Sequence, residues 1–150
     1  MFSAHPSRSP TARIRPVAQN VPPQLLRLYT SRIAAGFPSP ADDHLESPLD
    51  LNEHLVTHPA ATFVVKVQGD SMLGAGIRDG DLLVVDRSLE ARNGSVVVAV
   101  IDGELTVKRL RMGRGKIRLE AENPAYPPIV LHEGSDLVIW GVVAHAIRSY

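Results

Sequence analysis

From Thr62 to Ile147 the chain is cut by glycine turns into seven short runs rich in valine, isoleucine and threonine. These are Thr62–Gln68, Asp81–Asp86, Ser95–Ile101, Glu104–Leu110, Lys116–Glu120, Ile129–Leu131 and Leu137–Ile147. β-Branched side chains suit a pleated, half-buried surface, so each run reads as a strand. Asp79-Gly80, Asn93-Gly94 and Asp102-Gly103 are turn dipeptides that accept positive φ, and the last predicts a two-residue hairpin between two strands. Seven strands with no helix between them predict a compact, mostly β, antiparallel fold. Residues 96–101 are apolar on both faces, which places that run at the centre of the sheet. No internal repeat is visible.

Ahead of residue 60 the rules change. Asp50 precedes Leu51-Asn52-Glu53-His54-Leu55-Val56, an arrangement that predicts a short capped helix stopped by Pro59. Seven of the twelve prolines fall in the first forty positions, where fixed φ and missing donors oppose regular structure. Residues 1–35 carry five arginines (Arg8, Arg13, Arg15, Arg27, Arg32) and no acidic residue, a charge of +5. The whole chain is formally neutral, with 16 basic and 16 acidic residues, so residues 36–150 carry −5. A basic arm of 1–35 on an acidic folded domain of 36–150 is the expected organisation. Within the arm only Gln24-Leu25-Leu26-Arg27-Leu28-Tyr29 looks like a docking segment, as a strand or a single helical turn.

Composition also excludes function classes. There is no cysteine, hence no disulfide framework, thiolate zinc site or thiol nucleophile. No run of about 20 apolar residues is present to cross a membrane, and prolines interrupt any secretory signal, so the expected location is cytoplasmic. Zero net charge argues against a globally basic nucleic-acid binder.

Two residues carry chemistry when read together. Ser71 lies in the turn Gly69-Asp70-Ser71-Met72 directly after a strand. Lys108 lies mid-strand in Leu105-Thr106-Val107-Lys108-Arg109-Leu110, in a chain with only three lysines against thirteen arginines. Taken alone, Ser71 reads as an ordinary turn residue and Lys108 as a stem reaching solvent. A lysine in a partly dry site loses its proton more readily, because desolvation disfavours the ammonium, and the neutral amine is a competent base for a serine hydroxyl.

The ordered set of motifs in residues 32–146 resembles the LexA-type self-cleaving serine/lysine peptidase family. Within it the likeness is to the UmuD-like accessory subunits of translesion polymerase V. The residues that carry the likeness are Ala35-Gly36-Phe37-Pro38-Ser39-Pro40, Leu49-Asp50-Leu51-Asn52, His58-Pro59-Ala60-Ala61-Thr62 and Gly69-Asp70-Ser71-Met72. It continues through Gly76–Asp86, Asp102–Lys108, Asn123-Pro124-Ala125-Tyr126 and Gly141-Val142-Val143. The resemblance implies that Ser71 is the nucleophile, Lys108 its base and the Ala35–Gly36 peptide bond the substrate. The backbone N–H groups of Asp70 and Ser71 would then stabilise the oxyanion. It further implies a homodimer, stimulation by a RecA filament on single-stranded DNA, and a UmuC-type Y-family DNA polymerase as partner of the trimmed form in the SOS response. No cofactor, metal, membrane or direct sequence-specific DNA contact is implied, since thirty-five proline-rich residues cannot form a helix-turn-helix. The competing expectation is a non-catalytic UmuD-like module that regulates a polymerase or RecA.

Other groupings are weaker. His54 and His58 are four apart but lack a third ligand, and Asp79, Asp81 and Asp86 do not follow a calcium-loop spacing. His132 and His145 are not needed by a serine/lysine pair. Phe63 and Trp140 read as core or interface aromatics, and Arg109, Arg111, Arg114 and Arg118 as a solvated hairpin face.

Overall fold

The computed structural model describes residues 14–26, 47–131 and 136–150. In chain order the strands are β1 Ile14–Pro16, β2 Leu25–Leu26, β3 Leu49–Asp50, β4 Thr62–Lys66, β5 Leu82–Asp86, β6 Val96–Ile101, β7 Glu104–Gly113, β8 Lys116–Glu120, β9 Ile129–Val130 and β10 Leu137–Ile147. One short helix, α1, spans Leu51–Leu55 after β3. Two compact units are distinguished: Met1–Gln19 with His58–Tyr150, and Asn20–Thr57. No helix among the described residues is long and apolar enough to cross a membrane.

The larger unit is built on an eight-stranded sheet in the order β1-β4-β5-β10-β6-β7-β8-β9. Every neighbouring pair in it is antiparallel. The mostly β, antiparallel fold read from the runs is therefore the observed one. The hairpin at Asp102-Gly103 is present, with φ of 47° and 82° at the two turn residues, joining β6 to β7 in the register Ile101↔Glu104. Two consecutive positive φ values match the right-handed twist of the strands they connect.

β6 is central, between β10 and β7, and its side chains feed two apolar clusters on alternate residues. Val98 joins Val65, Met72, Ile77, Leu83 and Val85, while Val97 and Ala99 join Leu110 and Leu119. Alternation along a pleated strand sends successive side chains to opposite faces, so a run apolar throughout needs cover on both. β10 is long enough to serve β5 and β6 together, with register shifts between Ile139 and Gly141 and between Val143 and His145. Gly141 is required by close approach: a Cβ there would lie 2.6 Å from Val85 Cγ1.

The second unit, described by itself, pairs β2 with β3 and runs directly into α1. The Asp50 side chain accepts from the Asn52 amide at 3.1 Å, which is the cap expected from the sequence. The Gln24–Tyr29 docking segment thus contains a strand at Leu25–Leu26, and its remaining residues from 27 on lie outside the described ones.

Elsewhere the side groupings take structural roles. Phe63 and Trp140 meet edge to face at 5.3 Å, and the Arg87 guanidinium lies 4.7 Å from the Trp140 ring centre. Arg109 pairs with Glu122, and Arg111 and Arg118 both pair with Glu120, so much of the arginine hairpin is neutralised internally. α1 ends at Leu55, and His58 Nδ1 lies 2.6 Å from Asp86 Oδ2, so the two histidines do not share one helix face. No group of three metal-ligating side chains occurs among the described residues. His132 lies outside the described residues.

Candidate active site

The site forms where the turn after β4 meets the first half of β7. Lys108 stands opposite Val97 in the β6–β7 ladder, with its side chain 9% exposed. Its ammonium has three hydrogens and three acceptors: Thr106 Oγ1 at 2.8 Å, the Val107 carbonyl at 3.1 Å and Ser71 Oγ at 3.1 Å. Thr106 and Lys108 are two apart on one strand and so share a face of the sheet. Burial pulls the Lys108 pKa below the ordinary lysine value, and no carboxylate offsets that effect. In the neutral state two N–H groups remain for Thr106 and the carbonyl. The lone pair is then free to accept the Ser71 proton, which reverses the third bond.

Ser71 is held by its neighbours. Met72 is buried to 3% exposure and roots the turn in the core, and residues 73–75 continue as a single 3-10 turn. The Gly69 amide donates to Asp79 Oδ1 at 2.7 Å, with Gly69 at φ 95°. Asp70 is pinned from a different part of the chain. Asn123 Nδ2 donates to the Asp70 carbonyl at 2.9 Å, and the Tyr126 hydroxyl donates to Asp70 Oδ1 at 2.6 Å. The Asp70 carboxylate holds the Tyr126 proton and raises that phenol above its ordinary pKa. The same chain segment approaches Gly74, whose amide donates to the Glu122 carbonyl at 2.7 Å. A Cβ on Gly74 would lie 2.7 Å from that oxygen, so glycine is needed here for room.

A cleft of about 400 Å³ opens on the pair. Val65 to Gly69 form one wall, and Leu105 to Lys108 form the other. The amides of Asp70 and Ser71 donate to no other group among the described residues. Of the residues singled out from the sequence, Ser71 and Lys108 come together, and Asp70 adjoins them. Ala35 and Gly36 lie outside the described residues. Thr106, Asn123 and Tyr126 fall within the motifs, but nothing in the sequence gives them a part. The period-two spacing of Thr106 and Lys108 was the one readable signal; the contact between residues 70 and 126 has no local one.

A serine hydroxyl on a fixed turn, facing a desolvated amine across a cleft in a β-fold, is the equipment of a serine peptidase. The chain belongs to the Peptidase S24-like family, whose model matches residues 27–144. It is similar to Protein SamA of Salmonella typhimurium, at 48% identity over 125 residues, covering 81% of this chain and 86% of the relative. Protein MucA of Escherichia coli is 48% identical over 123 residues, covering 81% and 84%. The LexA repressor of Bordetella parapertussis is 42% identical over 137 residues, covering 89% of this chain and 63% of the repressor. These matches bear out the resemblance read from the motifs.

Proposed function

We propose that this chain is a self-cleaving serine/lysine peptidase of the SOS DNA-damage response that cuts its own Ala35–Gly36 bond. The observation that carries the reading is the 3.1 Å contact between Lys108 Nζ and Ser71 Oγ, made by a lysine that is 9% exposed. Neutral Lys108 takes the Ser71 proton as Oγ attacks the Ala35 carbonyl carbon. The oxyanion is met by the Asp70 and Ser71 amides. Lys108 then returns the proton to the Gly36 nitrogen, which leaves, and an ester joins Ala35 to Ser71. Water attacks that ester with Lys108 again as base, freeing residues 1–35 and restoring Ser71. Small Ala34, Ala35 and Gly36 suit entry of backbone into a narrow cleft. Substrate and nucleophile share one chain, so a RecA filament on single-stranded DNA needs only to favour the reactive placement of the arm. The trimmed chain, 36–150, works as a homodimer with a UmuC-type Y-family polymerase.

Incubation of the purified chain at alkaline pH, followed by mass spectrometry, tests this. Wild type is expected to yield fragments 1–35 and 36–150, faster with RecA, nucleoside triphosphate and single-stranded DNA. Ser71→Ala and Lys108→Ala are expected to remain intact. A wild type intact under both conditions sinks the reading, and cleavage in Ser71→Ala sinks the nucleophile.

A further inference from the structure

β1 comes from the arm, yet it is the outermost strand of the main sheet. Its register on β4 is Ile14↔Val65, Arg15↔Val64 and Pro16↔Phe63. The hydrogen-bond phase of β4 follows from its other neighbour. The Arg87 amide donates to the Ala61 carbonyl and the Val67 amide to the Asp81 carbonyl, both at 2.8 Å. Odd-numbered residues of β4 therefore turn their main-chain groups to β5, and Thr62, Val64 and Lys66 turn theirs outward to the edge. The Val17 amide donating to the Thr62 carbonyl at 3.3 Å is in that phase. Arg15 then exchanges bonds with Val64, and Pro16, opposite Phe63, stands where no N–H is required of it. Proline here costs the ladder nothing and removes a donor from the outer edge, a common means of blunting an edge strand. Ile14 packs against the apolar cluster of Val65, Met72 and Leu83, which anchors the strand.

We infer that the outer edge of β4 is a strand-acceptor site, filled in the intact chain by residues 14–17 and opened to an extended partner segment when the arm is cut off. The opening step rests on the self-cleavage proposed above; the cap itself does not. Cutting at Ala35–Gly36 separates Ile14–Val17 covalently from β4. Before the cut, residues 18–61 tie the segment to β4, so it binds within one chain and pays no loss of translational freedom. After it, three paired residues and one apolar anchor must hold as a separate molecule, and they are too few to do so. The vacated edge offers Thr62, Val64 and Lys66 main-chain groups and the seat of Ile14. It fits an extended polypeptide with a branched apolar residue in that seat, added as an antiparallel strand.

Amide exchange and chemical shifts in the 15N-labelled full chain test both halves. In the uncleavable Ser71→Ala chain, the Val64 amide is expected to exchange slowly. Adding Ile14→Asp should speed it at least tenfold while Val65, bonded to β5, stays protected, which shows the fold intact. Equal Val64 protection in the two proteins overturns the cap. A synthetic peptide of residues 10–20, supplied at about millimolar concentration and so far above the released arm, should shift the Val64 and Lys66 signals of the Ile14→Asp chain and of the self-cleaved body, but not of the closed Ser71→Ala chain. No shift in the opened proteins overturns the acceptor site. A wild type that never self-cleaves defeats the functional reading, and the Ile14→Asp comparison still decides the edge.

Discussion

At the scale of the residue, the proposed chemistry depends on Lys108 being held where its charged form is disfavoured. The pH dependence follows in sign. Deprotonation activates the base, so the intrinsic cleavage rate should rise with pH and level off below the pKa of an exposed lysine. A rate that climbs unchanged through pH 11 would contradict this. Stability moves the same way. Lys108 has a lower pKa folded than unfolded, so the unfolded chain holds more protons between the two values, and folding gains as pH rises through that window. Thr106→Val removes an acceptor that positions the amine, and should slow single-turnover cleavage at high pH, where Lys108 is neutral in both proteins. Tyr126→Phe loses an exposed hydrogen bond to Asp70 and should slow cleavage about fivefold with little change in thermal stability. A rate unchanged in single-turnover assays at matched pH would show that Asp70 needs no such tether.

At the scale of the element, the strands downstream of residue 60 were legible because each run alternates or is bounded by glycine. The register of β6 on β7 follows from the Asp102-Gly103 turn alone. β1 and β3 are not legible, and β2 only as one of two options for Gln24–Tyr29, because two or three residues carry no period and their partners lie far along the chain. Pro16 reads as a strand breaker until its place opposite Phe63 is known. The pairing of Ser71 with Lys108 is legible in motif order, whereas the hold of Asn123 and Tyr126 on Asp70 rests on tertiary proximity that no local pattern encodes. Two tight joints show how closely the elements are fitted. Gly141→Ala would drive a Cβ into Val85 and should cost about 2 kcal/mol, read as a fall in the urea midpoint. Arg148 joins the last residues to Asp81, donating at 2.7 Å to a carboxylate that is 2% exposed, and to the Gly76 carbonyl. That pairing holds the Asp81 pKa below its ordinary value, so its contribution is present above the unfolded pKa and is lost as pH falls through the folded one. Arg148→Ala should therefore lower the denaturant midpoint at pH 7 and change it much less near pH 2.

At the scale of the whole molecule, formal neutrality is the sum of a +5 segment and a −5 remainder. Self-cleavage would convert a neutral chain into an acidic one. The 36–150 fragment is expected to elute from an anion exchanger at clearly higher salt than the intact Ser71→Ala chain. Coelution would mean that residues 1–35 stay bound after the cut, which would also bear on how readily the β4 edge is vacated.

The serine and the lysine are separated by 37 positions, and the strand that carries Lys108 follows β5 and β6 in the chain. During synthesis the proposed nucleophile therefore leaves the ribosome well before its proposed base. A nascent chain that has exposed its arm and Ser71 holds both substrate and hydroxyl but no means of activation until β7 has emerged and paired with β6. On the proposed mechanism, biosynthesis would give the protein a built-in latency: no molecule could shorten itself before its sheet exists, and the newly made pool would start uniformly whole.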